Sequence, residues 1–145
     1  MLTHRSGGYF EDLSFVDSMT GKFLTRSDYN HERQCIPSKA MKKMVEKAKP
    51  NTIIAIHNHP SSMVPSMDDI MCVWERKQKY GVIACHNGNV YKYRVLGKYD
   101  NNEVNYLLDI LNRDIYNDNR KQYRITRVID ELKKHNVDME VFLWG

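Results

Sequence analysis

The stretch Ile53-Ile54-Ala55-Ile56-His57-Asn58-His59-Pro60-Ser61-Ser62-Met63-Val64-Pro65-Ser66-Met67-Asp68-Asp69-Ile70 decides how the rest of the chain is read. It opens on an unbroken aliphatic run, which predicts a strand over residues 52–56, buried on both faces. His57 and His59 follow at the strand's end. Side chains two apart on an extended backbone point the same way, so the two imidazoles project together. Pro60 ends regular pairing and turns the chain into a Pro- and Ser-rich loop. Ser66 then opens a helix and puts Asp69 in its first turn.

Upstream, residues 9–17 alternate and are rich in strand formers, residues 18–21 make a turn, and residues 22–25 return as a short hairpin partner. Pro37-Ser38 opens a helix carrying Met41, Met44, Val45 and Ala48 at helical spacing, and Pro50-Asn51 stops it. Downstream, the helix from Ser66 is expected to reach about Tyr80. Residues 82–85 and 90–95 read as strands joined through Asn87-Gly88, a strong hairpin signal. After Gly97 the pattern changes to two amphipathic helices, one marked by Val104, Leu107, Leu108, Leu111 and Ile115, the other by Ile125, Val128, Ile129 and Leu132. The apolar, alternating segment 137–144 is expected to dock on the domain, pair with another subunit or continue into more chain. The fold class is α/β (α+β), a mixed sheet sandwiched by helices. The expected division is a core over residues 1–97 and a helical C-terminal extension over residues 98–145.

The 145 residues make about one domain, 41% hydrophobic and 28% charged, an ordinary globular composition. No run is long enough to span a membrane, and residues 1–13 carry no apolar core of signal-peptide length, so a cytoplasmic location is expected. Cys35, Cys72 and Cys85 lack Cys-x-x-Cys spacing and read as free thiols. The net charge of +4 is too mild to demand nucleic acid. The lysine-rich run at residues 39–49 reads as the solvated face of a helix.

His57, His59 and Asp69 together offer two imidazoles and a carboxylate. A catalytic zinc commonly takes three protein ligands and leaves its fourth position to water. Each part has a plainer reading. Ser-x-x-Asp is a helix-capping signature, and an acidic first turn suits the helix dipole. His-x-His alone also describes a polar strand end. The combination of apolar strand, His-x-His-Pro, loop and Ser-x-x-Asp is far more specific. Cys85-His86 lacks a visible orienting acid for thiol chemistry, and His31 with Cys35 makes a poor metal site.

Residues 53–70 resemble the JAMM (MPN+/JAB) metalloprotease signature, His-x-His-Pro, a loop, then Ser-x-x-Asp. His-Asn-His-Pro-Ser and Pro65-Ser66 look most like its RadC-like branch. The resemblance covers about residues 9–95 and implies the cytidine-deaminase-like JAB/MPN architecture. The loop is one residue shorter than the RadC-like pattern and has Ser62-Met63 where that pattern has a glycine and an acidic residue. The family also uses a glutamate from an early strand. Glu11 is the best match, with Leu13 and Phe15 at alternate positions marking an inward face; Glu32 is the rival.

The resemblance implies one Zn2+ per chain on His57, His59 and Asp69. It implies Glu11 as general base and Ser66 as hydrogen-bond donor to the oxyanion. The expected reaction is hydrolysis of a peptide or isopeptide bond. A protein or peptide substrate is implied, with a ubiquitin-like partner one option carried by the wider family. The competing readings are a catalytically silent JAMM-like interaction domain and a RadC-like role around DNA repair or a mobile element, in a bacterial or phage context. The C-terminal helices are candidates for a homodimer surface or a substrate clamp.

Overall fold

A computed structural model describes residues 11–27, 38–116 and 121–144. In chain order they form β1 (Leu13–Asp17), β2 (Phe23–Ser27), α1 (Lys39–Lys47), β3 (Ile53–His59), α2 (Met67–Glu75), β4 (Tyr80–Cys85), β5 (Val90–Val95), α3 (Asn101–Ile115), α4 (Lys121–Lys134) and β6 (Val137–Phe142). The strands make one mixed sheet in the order β2-β1-β3-β4-β5-β6. β3 and β4 are parallel, joined by the α2 crossover, and the other neighbours pair antiparallel. The class is mixed α/β (α+β). No described helix is long and apolar enough to cross a membrane.

Strand alternation decides which residues are covered. Leu13 and Phe15 of β1, Ile53, Ala55, His57 and His59 of β3, Ile83 and Cys85 of β4, Tyr91 and Tyr93 of β5, and Val137 and Met139 of β6 are all buried on one face. Two hydrophobic clusters form there. The smaller joins Met41 of α1 to Leu13, Phe15, Ile53 and Ala55. The larger joins α2, α3 and α4 to β4, β5 and β6. Residues on both sides of Gly97 thus share one sheet and one core cluster.

Helices were expected on both faces of the sheet, and this is corrected. Among the described residues both clusters lie on the face that carries His57 and His59. The opposite positions of β5 and β6 hold Lys92, Arg94, Asp138 and Glu140, which favour water over a second helix layer. Ile54 and Ile56 of β3 are only half-buried, so the strand is not sealed on both sides as its apolar run suggested.

α2 stops at Glu75, short of the expected Tyr80. The Lys77 N–H donates to the Trp74 carbonyl at 3.2 Å and the Gln78 N–H to the Val73 carbonyl at 3.0 Å. With Lys77 at φ 52, this is a Schellman ending on a residue other than the usual glycine. β4 then begins two residues earlier than expected, at Tyr80. The segment 137–144 docks on the domain, as β6 against β5.

Gly81 pairs with Tyr93 across β4 and β5, and the Tyr93 ring lies over it. A Cβ at this position would stand 2.2 Å from the buried ring. We expect Gly81→Ala to destabilise the chain by about 1–3 kcal/mol through overpacking. A thermal or denaturant melt matching wild type would overturn this account of β4.

Candidate metal centre

The groove over this face has a volume of about 1090 Å³ and lies where the two clusters meet. Lys42 of α1 and Leu13 of β1 line one side. Met67 of α2 and Leu108 and Asn112 of α3 line the other, and the loop of residues 60–65 closes one part of the wall. His57 and His59 stand on its floor, both buried.

Three side chains converge there. His57 Nε2 lies 3.1 Å from His59 Nε2. Asp69 Oδ1 lies 3.2 Å from His57 Nε2, and Asp69 Oδ2 lies 3.5 Å from His59 Nε2. The ligand atoms of His57, His59 and Asp69 all fall within 4.8 Å of one another, a group able to hold a metal ion.

The local structure explains each placement. His57 and His59 share a face because β3 stays extended through His59. Ser66 is the N-cap of α2, and its Oγ accepts from the Asp69 N–H at 3.3 Å. Asp69 Oδ2 in turn accepts from the Ser66 N–H at 2.8 Å and from the Ser66 hydroxyl at 2.9 Å. This reciprocal capping box holds the carboxylate against the histidines. Capping and the approach of the carboxylate to the histidines are therefore one arrangement, and the plainer reading of Ser-x-x-Asp holds.

Glu11 lines the same groove. β1 pairs with β3 so that Leu13 faces His57 and Phe15 faces Ala55, and the same register carried two residues further puts Glu11 opposite His59. Its charge contributes to raising the His59 pKa. Glu11 lies just before β1 and not within it. The rival Glu32 and the pair His31 and Cys35 lie outside the described residues.

Two supporting groups escaped the sequence reading. The Met63 carbonyl accepts from His59 Nδ1 at 2.8 Å, which leaves His59 Nε2 bare toward Asp69 and His57. Asn58, the middle residue of His57-Asn58-His59, is buried, and its Oδ1 accepts from the Asp12 N–H at 2.6 Å. That bond fixes the peptide joining Glu11 to Asp12. Asn58 Nδ2 also meets His86 Nε2 at 3.2 Å behind the strand. A buried amide between two histidines was the available signal, but its partners lie 46 and 28 residues away.

The electrostatics follow from burial and pairing. Burial works against charge on Asp69, but the His57 and His59 imidazoles outweigh it and hold its carboxyl well below the usual carboxylate range. Burial likewise opposes charge on His59. The hydrogen bond and charge of Asp69, with the Met63 carbonyl and Glu11, reverse this and raise its pKa above 6.5. Burial pushes the Cys85 thiol up to about 12 and raises that of Cys72, so neither is a ready thiolate nucleophile. No family model, curated protein or solved structure matches this chain.

The pH dependence of the metal-free chain follows. Asp69, depressed in the fold, adds stability above its ordinary 3.8 that is lost as pH falls through its lower folded value. His59, raised in the fold, adds stability below 6.5 that is lost as pH rises through its higher folded value. We expect thermal melts under chelation to be most favourable between those limits, and Asp69→Asn to flatten both limbs. A divalent ion, which needs neutral imidazoles, should move the optimum upward. An unchanged profile in Asp69→Asn would sink this assignment of charge.

Proposed function

We propose that the chain is a zinc-dependent metallohydrolase of JAMM type that cleaves a peptide or isopeptide bond. The observation that carries this reading is the spacing of the three donor groups. Ligands about 2.0–2.1 Å from a tetrahedral zinc ion stand about 3.3–3.4 Å apart. The two imidazole nitrogens are separated by 3.1 Å; Asp69 sets Oδ1 3.2 Å from His57 and its other oxygen, Oδ2, 3.5 Å from His59, and with one donor atom from each residue the set falls within 4.8 Å, a span that closes on one ion with a small turn of the carboxylate. The donor set also fits the ion. Two nitrogens and one oxygen from three residues are a usual catalytic zinc complement, with the fourth position left open. The Met63 carbonyl on His59 Nδ1 is the kind of outer contact that fixes a ligating imidazole.

His57, His59 and Asp69 would hold the ion. Zinc, when bound, supplies Lewis acidity and a water able to lose its proton near pH 7. Glu11, in the groove opposite His59, accepts the proton of the attacking water and returns it to the leaving amine. Ser66 stands exposed at the groove wall, and its hydroxyl, which donates to Asp69 Oδ2 at 2.9 Å in this structure, would turn from that carboxylate to donate to the substrate carbonyl oxygen as negative charge grows there. The groove, about 1090 Å³, has room for several residues of a peptide. The substrate is a protein or peptide, and a ubiquitin-like protein is one such partner.

Two measurements test the reading. Elemental analysis of the purified, dialysed chain should give about one zinc per chain, lost in the double variant His57→Ala with His59→Ala. Iron in place of zinc would move the reading to oxygen chemistry, since two histidines and a carboxylate also hold that metal. No metal after zinc is added back would favour a JAMM-like interaction domain. With a cleavable peptide in hand, Glu11→Gln should keep the zinc and lower kcat by about 10²–10⁴-fold. Ser66→Ala should cost about 10²–10³-fold. Wild-type turnover in Glu11→Gln would move the base elsewhere, with Glu32 next to test.

A further inference from the structure

The loop of residues 60–65 is held from outside as well as from within. The turn after His59 closes with the Ser62 N–H on the His59 carbonyl at 3.2 Å, and Ser62 itself takes φ 60. That left-handed conformation suits glycine and is strained for serine. Two side chains from α3 grip the strained segment. The Tyr116 hydroxyl, at the C-cap of α3, donates to the Ser62 carbonyl at 2.9 Å. The Val64 N–H donates to Asn112 Oδ1 at 3.0 Å. Asn112 and Tyr116 are four residues apart, one helical turn on the same side of α3.

The two grips bracket Met63. The Ser62 carbonyl belongs to the peptide before Met63, and the Val64 N–H to the peptide after it. That second peptide is the one whose carbonyl receives His59 Nδ1 at 2.8 Å. Asn112 and His59 therefore hold opposite ends of one rigid peptide plane. The plane cannot rotate to release one bond without straining the other. Cys85 Sγ also reaches the Met63 carbonyl, at 3.7 Å, a long and weak contact that does not fix direction.

We propose that Asn112 and Tyr116 are positioning residues of the metal centre, through which α3 fixes the tautomer and direction of the His59 ring by way of the Met63–Val64 peptide. The proposal rests on the reading of His57, His59 and Asp69 as metal ligands. Asn112 touches no ligand atom, and it acts only through the peptide. Outer partners of this kind commonly change metal affinity 10–100-fold when removed.

The test uses the full chain and zinc alone as the probe. Asn112→Ala with Tyr116→Phe should weaken zinc binding by about 10-fold or more, the lower part of that range, because the effect is one bond further out. Asn112→Asp keeps an acceptor oxygen for the Val64 N–H, but its charge would itself draw a cation into the groove, so this variant is read only by the position of the His59 proton, which should return to that of wild type. The second readout needs no metal. Nitrogen NMR of His59, above its titration, should place the proton on Nδ1 in wild type and on a mixture of both nitrogens in the double variant. The same proton placement in both proteins overturns the clamp, whatever zinc does. Zinc bound equally by both overturns it as well and leaves the metal reading standing. Wild-type chain that takes up no zinc overturns the metal reading and the clamp's role in it, and the NMR result then tells whether α3 still orients the ring.

Discussion

β3 is hydrogen-bonded on both sides, antiparallel to β1 and parallel to β4, and the site depends on that double ladder. One residue of slip in either register would turn every side chain of β3 over. His57 and His59 would then face away from the helices, and Ile56 and Asn58 would take the groove floor. The apolar residues that prevent this are Ile53 and Ala55 under α1, and Ile83 beside His57. The same register, continued past its last pair Leu13 and His57, directs Glu11 toward His59, on whose charge it acts. The hydrophobic effect therefore orients the polar cluster, although none of His57, His59 and Asp69 is apolar.

Once the histidines are fixed, burial sets their chemistry. Two imidazoles and a carboxylate drawn from water need one another, a proton or a cation. The surrounding peptide groups do not leave that balance to chance. Asn58 holds the peptide beside Glu11, and Asn112 holds the peptide beside His59. A side-chain amide offers an acceptor and two donors without a charge, so it can lock a backbone without adding a charge beside the cluster. The carboxylate is locked differently, by the first turn of its own helix.

Local signals were the ones legible in the sequence. His57 and His59 were readable because strand alternation has a fixed period of two, and Asp69 because a capping box has a fixed span of three. Glu11 was singled out by the resemblance, which implies a glutamate from an early strand, and Leu13 and Phe15 marked only its face. The end of α2 was missed because Lys77 occupies a left-handed position where glycine normally signals a stop. That the described helices all pack on one face was missed because Ile54, Ile56 and Val82 make the outer face apolar enough in sequence to suggest a second cover. Asn112 and Tyr116 carry no local mark at all. Their partners stand 48 and 54 residues away, and only folding brings them together.

The position of β6 bears on how the chain is made. Val95 pairs with Val137 and Val90 with Phe142, so the outer partner of β5 lies 42 to 52 residues further on (137 − 95 and 142 − 90). α3 and α4 must emerge from the ribosome first. At roughly 5–20 residues per second, β5 then waits about 2–10 s with one edge unpaired. Such an edge is a template for any neighbouring strand. Until β6 arrives, the outer backbone groups of β5 have only water for partners, so the last strand to be made is the one that closes that edge.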